Sequence, residues 1–241
     1  MGGLPEPEPG GFCDRAWQHT HDLQRAIVEH PFNLALRDGS LERDRFAFYI
    51  VQDSRYLVGF AQALSTAAAR ADDPGDAAFL AGSAQAALVE ERRLHAGYVE
   101  EFGLTEEDIA GIVTSPSCLA YTSFLRASAL TEPLPVLVAA LLPCFWVYQH
   151  VGSSILEAVG DTSEHPYGRW IDTYADEDFA TSVLNARELT DRLAYVADEP
   201  VRARMLENFT RATEYEWLFW NSAWTREEWP TARWLPEAQF P

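Results

Sequence analysis

The chain has 241 residues, 47% of them hydrophobic and 12% aromatic, which is enough apolar side chain for one folded domain with a substantial core. This composition excludes a disordered or low-complexity protein. The formal net charge is −19, from 37 acidic and 18 basic residues, and a surface of that sign repels phosphate backbones and anionic lipid. We therefore expect neither a nucleic-acid nor a membrane partner, and we attribute the acidity to solubility.

Hydrophobic residues recur at helical spacing along almost the whole chain, and no segment alternates as a half-buried strand would. Pro and Gly residues mark the breaks between the predicted helices, and Ser40 is the predicted N-cap of the second helix. The predicted helices cover residues 14–30, 41–71, 76–102, a stretch around 121–125, 136–159, 166–175, 178–197 and 200–224. Pro143 lies inside the fifth of them, where it removes one backbone hydrogen bond and kinks the axis. The predicted fold class is all-α, a single-domain helical bundle.

Two tails flank the helical part of the sequence. Residues 1–12, rich in Pro, Gly and Glu, are predicted to form a flexible tail. Residues 13–224 form the predicted helical domain, and the aromatic residues 225–241 a C-terminal tail that packs on it. No internal repeat and no long linker divides the chain.

Cysteine usage and hydropathy indicate the compartment. Cys13, Cys118 and Cys144 form no Cys-x-x-Cys pair and leave one cysteine over, which suits a reducing environment. The sequence shows no secretory signal pattern, and its longest apolar stretch, residues 134–148, is too short and too aromatic to span a bilayer. We expect a cytoplasmic protein.

Cys144 is the candidate nucleophile. It follows Pro143, which can distort the helix locally and open space beside a reactive group, and Tyr148 lies one turn further on the same face. Most buried cysteines are small apolar core residues, however, and nothing in the local sequence indicates a lowered thiol pKa. From the local residues alone, the core interpretation is favoured.

Asp53 lies on a helix face that it shares with Tyr49, Tyr56 and Leu57. Because an isolated buried carboxylate is costly, this side chain needs either a polar cavity or an ion pair with a neighbouring helix, and Arg55 lies on a different face. Both interpretations remain open from the sequence.

Glu214 and Glu216 flank Tyr215 and point about 200° apart on a helix, so only one of them can face a core. Glu216 lies one turn before Trp220 and aligns with Phe219, which makes it the inward candidate. An aromatic setting raises the pKa of a carboxyl group, as a general acid requires. Glu214 is then a solvated residue.

Glu91 and His95 form an i, i+4 pair that could supply half of a metal site. A di-iron bundle needs further Glu and His residues at matching spacings on other helices, and the remaining histidines supply no second set. We therefore predict a structural hydrogen bond between the two and no metal site. Phosphate-binding loops and Gly-x-Ser-x-Gly elbows are absent from the sequence.

Four separated segments together resemble the TenA family, the thiaminase II or aminopyrimidine aminohydrolase enzymes. They are Phe48 to Leu57, Pro143 to Tyr148, Trp170 to Ala175 and Glu216 to Trp220, in matching order and approximate separation. The resemblance extends over about residues 14–224, and Cys144 places the chain in the cysteine-bearing branch. It implies a haem-oxygenase-like helical fold without haem, no cofactor, and a homotetramer.

The resemblance also implies an activity, which is cleavage of the substituent on the C5 methylene of a 4-amino-2-methylpyrimidine. This includes aminopyrimidine deamination to hydroxymethylpyrimidine in thiamin salvage, and thiamin cleavage. Carried over residue by residue, Cys144 is similar to the nucleophile and Glu216 to the acid/base. The implied substrate-binding residues are Asp53 at the amino-amidine edge, Tyr56 and Phe46 at stacking or wall positions, and the pocket tyrosines Tyr121, Tyr148 and Tyr174.

The sequence departs from the family pattern at His150, where an acidic residue is expected, and in its two tails. Two other functions remain as alternatives. One is a non-catalytic pyrimidine-binding or regulatory member of the family, and the other is a di-iron oxidase on the same fold, which the sparse histidines disfavour.

Overall fold

A computed structural model describes residues 10–103 and 105–234, apart from the side chains of residues 90–96 and 106. Residues 1–9 of the predicted N-terminal tail and residues 235–241 of the predicted C-terminal tail lie outside this part of the chain. So do the side chains of Glu91 and His95, and with them the predicted hydrogen bond between the two.

Helices account for the regular structure of the described ranges, which contain no strand. In chain order the α-helices are α1 (Phe12–His19), α2 (His21–Val28), α3 (Pro31–Arg37), α4 (Arg43–Arg70), α5 (Pro74–Phe102), α6 (Glu106–Gly111), α7 (Pro116–Thr131), α8 (Leu134–Val159), α9 (Gly168–Ala175), α10 (Glu177–Val196) and α11 (Glu199–Thr225). A short 3₁₀ turn follows at Ala232–Trp234. The predicted all-α fold class is confirmed.

Local capping chemistry explains where several helices begin and end. Asp73 accepts hydrogen bonds from two backbone N–H groups in the first turn of α5, at 2.8 and 3.0 Å. Gly103 ends the same helix in the left-handed conformation, at φ 65°, which a glycine adopts without strain. At α7, Ser115 accepts from the N–H of Cys118 at 3.1 Å and Pro116 occupies the first helical position.

The N-terminal third differs from the prediction in three places. The helix predicted over residues 14–30 is interrupted at Thr20, whose hydroxyl donates to the Ala16 carbonyl at 2.9 Å. The His30-Pro31 turn starts the additional helix α3, because Pro31 fits the first helical position and His30 caps it, its Nδ1 accepting from Phe32 at 3.2 Å. Ser40 is not an N-cap, since α4 begins three residues later with Glu42 in that position.

Helix α8 lies at the centre of the fold. It packs against α4, α7, α9, α10 and α11. Its 26 residues are long and apolar enough to cross a membrane by length and composition, and 78% of its most apolar window is buried against the rest of the chain. A core helix has the same properties. Pro143 lies inside α8 as predicted, and it lacks the N–H that would bond the carbonyl of Ala139.

Candidate active site

A cavity of about 600 Å³ opens between α4, α5, α8, α9 and α10. Four of the predicted site residues line it, which are Asp53, Cys144, Tyr148 and Tyr174. The other lining residues come mainly from α5, α9 and α10 and include Ser83, Arg169, Asp172, Thr173, Asp178, Phe179 and Ser182. The prediction did not include this second group, because these residues are polar or half-exposed and resemble an ordinary helix surface in the sequence.

The three cysteines differ sharply in their surroundings. Cys144 is half-buried at the cavity wall, whereas Cys13 and Cys118 are 0% exposed. Burial raises the pKa of Cys118 to about 12, and burial together with the nearby carboxylate of Asp191 raises the pKa of Cys13 even further. Only a thiolate is a good nucleophile, so Cys144 is the one cysteine whose position suits nucleophilic chemistry.

Glu216 lies on α11, 1% exposed, and its Oε1 accepts a hydrogen bond of 2.6 Å from the Tyr121 hydroxyl on α7. Burial raises the pKa of Glu216 to about 8, and the neighbouring charge of Asp53 raises it as well, while the bond from Tyr121 acts in the opposite direction. The group is therefore mainly protonated at neutral pH. A buried carboxylic acid close to a thiol and a second carboxylate can donate a proton to a bound base.

Tyr56 lies between the Glu216–Tyr121 pair and the thiol of Cys144. Its ring lies 4.7 Å from that of Tyr121, and its hydroxyl, buried beside Cys144, has no well-aligned hydrogen-bond partner among the described residues. Burial raises the pKa of Tyr56 well above its usual value, and the adjacent Cys144 and Glu216 add to the effect. The phenol therefore stays protonated and can donate to a thiolate.

A set of aromatic rings supports the cavity from behind. Tyr148 lies 5.0 Å from Tyr174 and 5.2 Å from Trp220, measured between ring centroids. Trp220 stacks on Tyr49 at 5.2 Å, and the indole N–H of Trp170 donates to the Tyr49 hydroxyl at 3.1 Å. The prediction assigned no role to either tryptophan, although the helical spacing of Trp220 from Glu216 is visible in the sequence. Interlocked rings of this kind hold pocket side chains in fixed rotamers.

Phe46 is placed away from the other predicted site residues. It is 0% exposed, lies two turns before Asp53 on α4, and packs against Tyr98 and Tyr167 with ring centroids 4.7 and 4.5 Å away. Like Tyr56, Tyr121 and Glu216, it does not line the cavity that Cys144 faces, but among the described residues no contact with Cys144 or Glu216 connects it to the site. The structure therefore assigns Phe46 to the core packing of α4 against α5 and the loop before α9.

Four other residues or sites considered in the sequence analysis can now be placed: Arg55, Glu214, His150 and a metal site. Arg55 points to the carbonyl of Ile109, with its NH2 3.4 Å from the oxygen, and does not face the cavity that Asp53 lines. Glu214 is half-exposed and pairs with Arg211 at 2.6 Å, as expected of a solvated residue. His150 is half-buried, with its ring edge-on to Trp17 at 5.2 Å and its pKa lowered by burial. Among the described side chains, no three His, Cys, Asp or Glu residues are grouped so that they could hold a metal ion.

Fold and site together agree with one protein family. Residues 17–226 match the model of the TENA/THI-4/PQQC family, and the chain belongs to that family.

Individual relatives carry more specific names. The aminopyrimidine aminohydrolase of Bacillus subtilis (strain 168) is 38% identical over 200 residues, which cover 83% of this chain and 84% of that protein. Among solved structures, a TenA homologue from P. horikoshii OT3 has a TM-score of 0.77 at 28% identity and covers 89% of this chain and 99% of its own. A domain from Shewanella denitrificans OS217 described as having a heme oxygenase-like fold has a TM-score of 0.70 at 15% identity, over 89% of this chain and 92% of its own. The predicted fold and family are confirmed.

Proposed function

We propose that the protein is a thiamin-salvage hydrolase that cleaves the C5-methylene substituent of a 4-amino-2-methylpyrimidine. The observation that carries the proposal is the meeting of Cys144 and Asp53 at one cavity, with the protonated Glu216 close behind them. The name of the Bacillus subtilis relative supports the same reaction class. Deamination to hydroxymethylpyrimidine is the principal activity, and cleavage of thiamin is a second.

The first half of the reaction forms a bond between Cys144 and the pyrimidine. The thiol sulfur adds to a ring carbon next to C5, its proton passes to the departing amine, and Glu216 protonates a ring nitrogen so that the ring can accept the electron pair. Those electrons then return and expel the amine from the methylene carbon. The product of this half is an exocyclic alkene still attached to sulfur.

Water completes the reaction. Its oxygen bonds to the methylene carbon, the carbon–sulfur bond breaks, the sulfur takes the proton of the water, and the ring nitrogen returns its proton to Glu216. Asp53 accepts a hydrogen bond from the exocyclic amino group and balances the positive charge that the ring carries between the two halves. The hydroxyl of Tyr56 stabilises the thiolate as it forms and as it leaves.

The direct test is turnover by the purified protein. We expect ammonia and hydroxymethylpyrimidine to accumulate together from an aminomethyl-substituted 4-amino-2-methylpyrimidine. From thiamin we expect hydroxymethylpyrimidine and the released thiazole to accumulate more slowly. No product from either substrate would overturn the proposal. A tight pyrimidine complex without turnover would identify a binding or regulatory member, and stoichiometric iron in active protein would identify an oxidase.

Tyr121→Phe tests the state of the acid through pH dependence. The first step needs protonated Glu216, so kcat/KM should fall as pH rises through about 8. Because the Tyr121 hydrogen bond stabilises the carboxylate, its loss should move this basic limb to higher pH by roughly 1 unit and lower kcat by about tenfold. The measurement is kcat/KM against pH for both proteins. A limb that stays in place or moves to lower pH would contradict this assignment.

The site residues, assembly and compartment belong to the same proposal. The substrate-binding set comprises Asp53, Tyr56, Tyr121, Tyr148 and Tyr174, and the reaction needs no cofactor. By its family resemblance the protein works as a homotetramer. The net charge of −19 disfavours nucleic-acid and membrane partners. The three free cysteines, Cys13, Cys118 and Cys144, suit a reducing compartment such as the cytoplasm.

A further inference from the structure

The segment after α11 crosses the start of α7. Arg226, in the left-handed conformation at φ 49°, ends α11 and turns the chain. Glu227 then accepts two hydrogen bonds from Ser117, 2.9 Å from its backbone nitrogen and 3.1 Å from its hydroxyl. Two residues later, the indole N–H of Trp229 donates to the carbonyl of Thr114 at 2.8 Å. The segment is thus attached on both sides of the α7 N-cap.

The first turn of α7 has one backbone N–H that the helix and its cap cannot satisfy. Pro116 has no N–H, Cys118 donates to the Ser115 side chain, and Leu119 donates to the Ser115 carbonyl at 2.9 Å. The remaining donor is the N–H of Ser117, and Glu227 accepts from it. A carboxylate at this position also interacts favourably with the positive end of the helix dipole.

Gln52 holds the chain that enters α7 from the inside. This residue precedes Asp53 on α4 and is 0% exposed. Its amide nitrogen donates to the carbonyl of Val113 at 2.8 Å, and its amide oxygen accepts from the N–H of Ser115 at 2.9 Å. The chain entering α7 is therefore fixed between α4 on one side and the segment after α11 on the other.

The clamped turn of α7 directly precedes the turn that carries Tyr121, whose hydroxyl contacts the acid. Ser117 and Tyr121 are four residues apart and therefore lie on one face of α7, one turn from each other. A shift or rotation of the first turn moves the Tyr121 hydroxyl, and a hydrogen bond of 2.6 Å to a fully buried partner has little tolerance for such movement.

We propose that Glu227 is a positioning residue for the acid/base pair, fixing the first turn of α7 so that Tyr121 meets Glu216. The inference rests on the proposed hydrolase function, since it assigns to the segment after α11 a role in the proton transfer of that reaction. Glu227 does not touch the substrate cavity. It acts only through Tyr121.

The experiment compares Glu227→Ala with Glu228→Ala. Glu228 is the next residue, is exposed, and loses the same charge, so it is the matched control. We expect Glu227→Ala to lower kcat about fivefold with little change in KM, and to move the basic limb of the pH profile upward by roughly 0.5 unit, as a weakened Tyr121 bond implies. Glu228→Ala should match the wild type, and equal effects of the two variants would overturn the proposal.

A double variant separates positioning from general loss of structure. In a Tyr121→Phe background the hydroxyl to be positioned is absent, so Glu227→Ala should cause no further shift of the pH profile. Glu227→Gln keeps an oxygen acceptor for the Ser117 N–H and should recover most of the activity. An undiminished effect of Glu227→Ala in the Tyr121→Phe background would overturn the proposal.

One readout does not depend on turnover. The carboxylic-acid stretching band of Glu216, assigned by its loss in Glu216→Gln, can be titrated by infrared difference spectroscopy. We expect its midpoint to lie higher in Glu227→Ala than in the wild type and in Glu228→Ala. An unchanged midpoint in a protein that turns over would refute the positioning role alone, whereas an inactive wild type would refute the hydrolase function and leave the shift to be judged on its own.

Discussion

Cys144→Ser should lower kcat by roughly 10³-fold or more, while the affinity for the hydroxymethylpyrimidine product stays within a few-fold of the wild type. Serine has nearly the same shape, and the position is a half-buried cavity wall, so neither fold nor binding should suffer. The loss is chemical. An alcohol is far harder to ionise than a thiol, and Glu216 is a protonated acid at neutral pH and cannot serve as a base for it. Steady-state kinetics measures kcat, and isothermal titration calorimetry with hydroxymethylpyrimidine measures the affinity for the product.

Cys13→Ser is the matched control. Cys13 is fully buried on α1, and its thiol donates to the carbonyl of Arg187 at 3.4 Å, which a serine hydroxyl can also do. We expect unchanged kinetics and a loss of about 1 kcal/mol in the free energy of unfolding at most. Full activity in Cys144→Ser would mean that another group or water attacks the substrate, and the mechanism with a sulfur-bound intermediate would be wrong.

Much of the fold could be predicted because its signals are local. Apolar spacing sets the long helices, and residues such as Asp73, Gly103 and Ser115 end or begin them through bonds to the adjacent backbone. The break at Thr20 could not be found in this way. The apolar pattern continues through it, and a threonine hydroxyl bonding back to Ala16 is compatible with both an intact and an interrupted helix.

In the site, too, the features that depend on local spacing could be predicted and the contacts between distant residues could not. Helical geometry alone selected Glu216 over Glu214 as the inward carboxyl, and the structure confirms it, with Glu216 1% exposed and Glu214 in a surface ion pair. The partner of Glu216 is Tyr121, 95 positions away, and no local pattern indicates such a contact. The bonds from Ser117 to Glu227 span 110 positions and were missed for that reason. Phe46 was included by resemblance, and its packing against Tyr98 and Tyr167 joins residues too far apart in the sequence for a local pattern to indicate.

Glu216→Gln should remove activity and stabilise the protein. Without a protonated acid the first step lacks its proton donor, and kcat should fall by about 10²- to 10³-fold. The amide oxygen can still accept from the Tyr121 hydroxyl, so the contact between α7 and α11 is preserved. The same substitution removes the one ionisable group that is buried on α11 at this contact.

The effect of that removal on stability depends on pH in a defined direction. Folding raises the pKa of Glu216 from 4.5 to about 8, so the folded state holds its proton more tightly than the unfolded chain does. The resulting stability is fully present below pH 4.5 and is lost as pH rises through about 8. At pH 7.5, three pH units above the unfolded pKa, the free energy of unfolding of the wild type is lower than at pH 4.5 by at most about 4 kcal/mol through this group.

Glutamine does not titrate, so Glu216→Gln should not lose this stability. We expect the variant to gain about 2 kcal/mol in the free energy of unfolding relative to the wild type between pH 4.5 and 7.5, because relaxation of the folded state around the charged carboxylate reduces the full amount. Urea denaturation at the two pH values measures the difference.

Glu214→Gln is the matched control. It removes a half-exposed carboxyl paired with Arg211 and should change stability by no more than about 0.5 kcal/mol at either pH. If the two variants showed the same pH dependence, Glu216 would not be the buried titrating group. A gain confined to Glu216→Gln would mean that the chain tolerates a destabilising carboxyl at this position, which core packing cannot explain and proton transfer to a bound pyrimidine can.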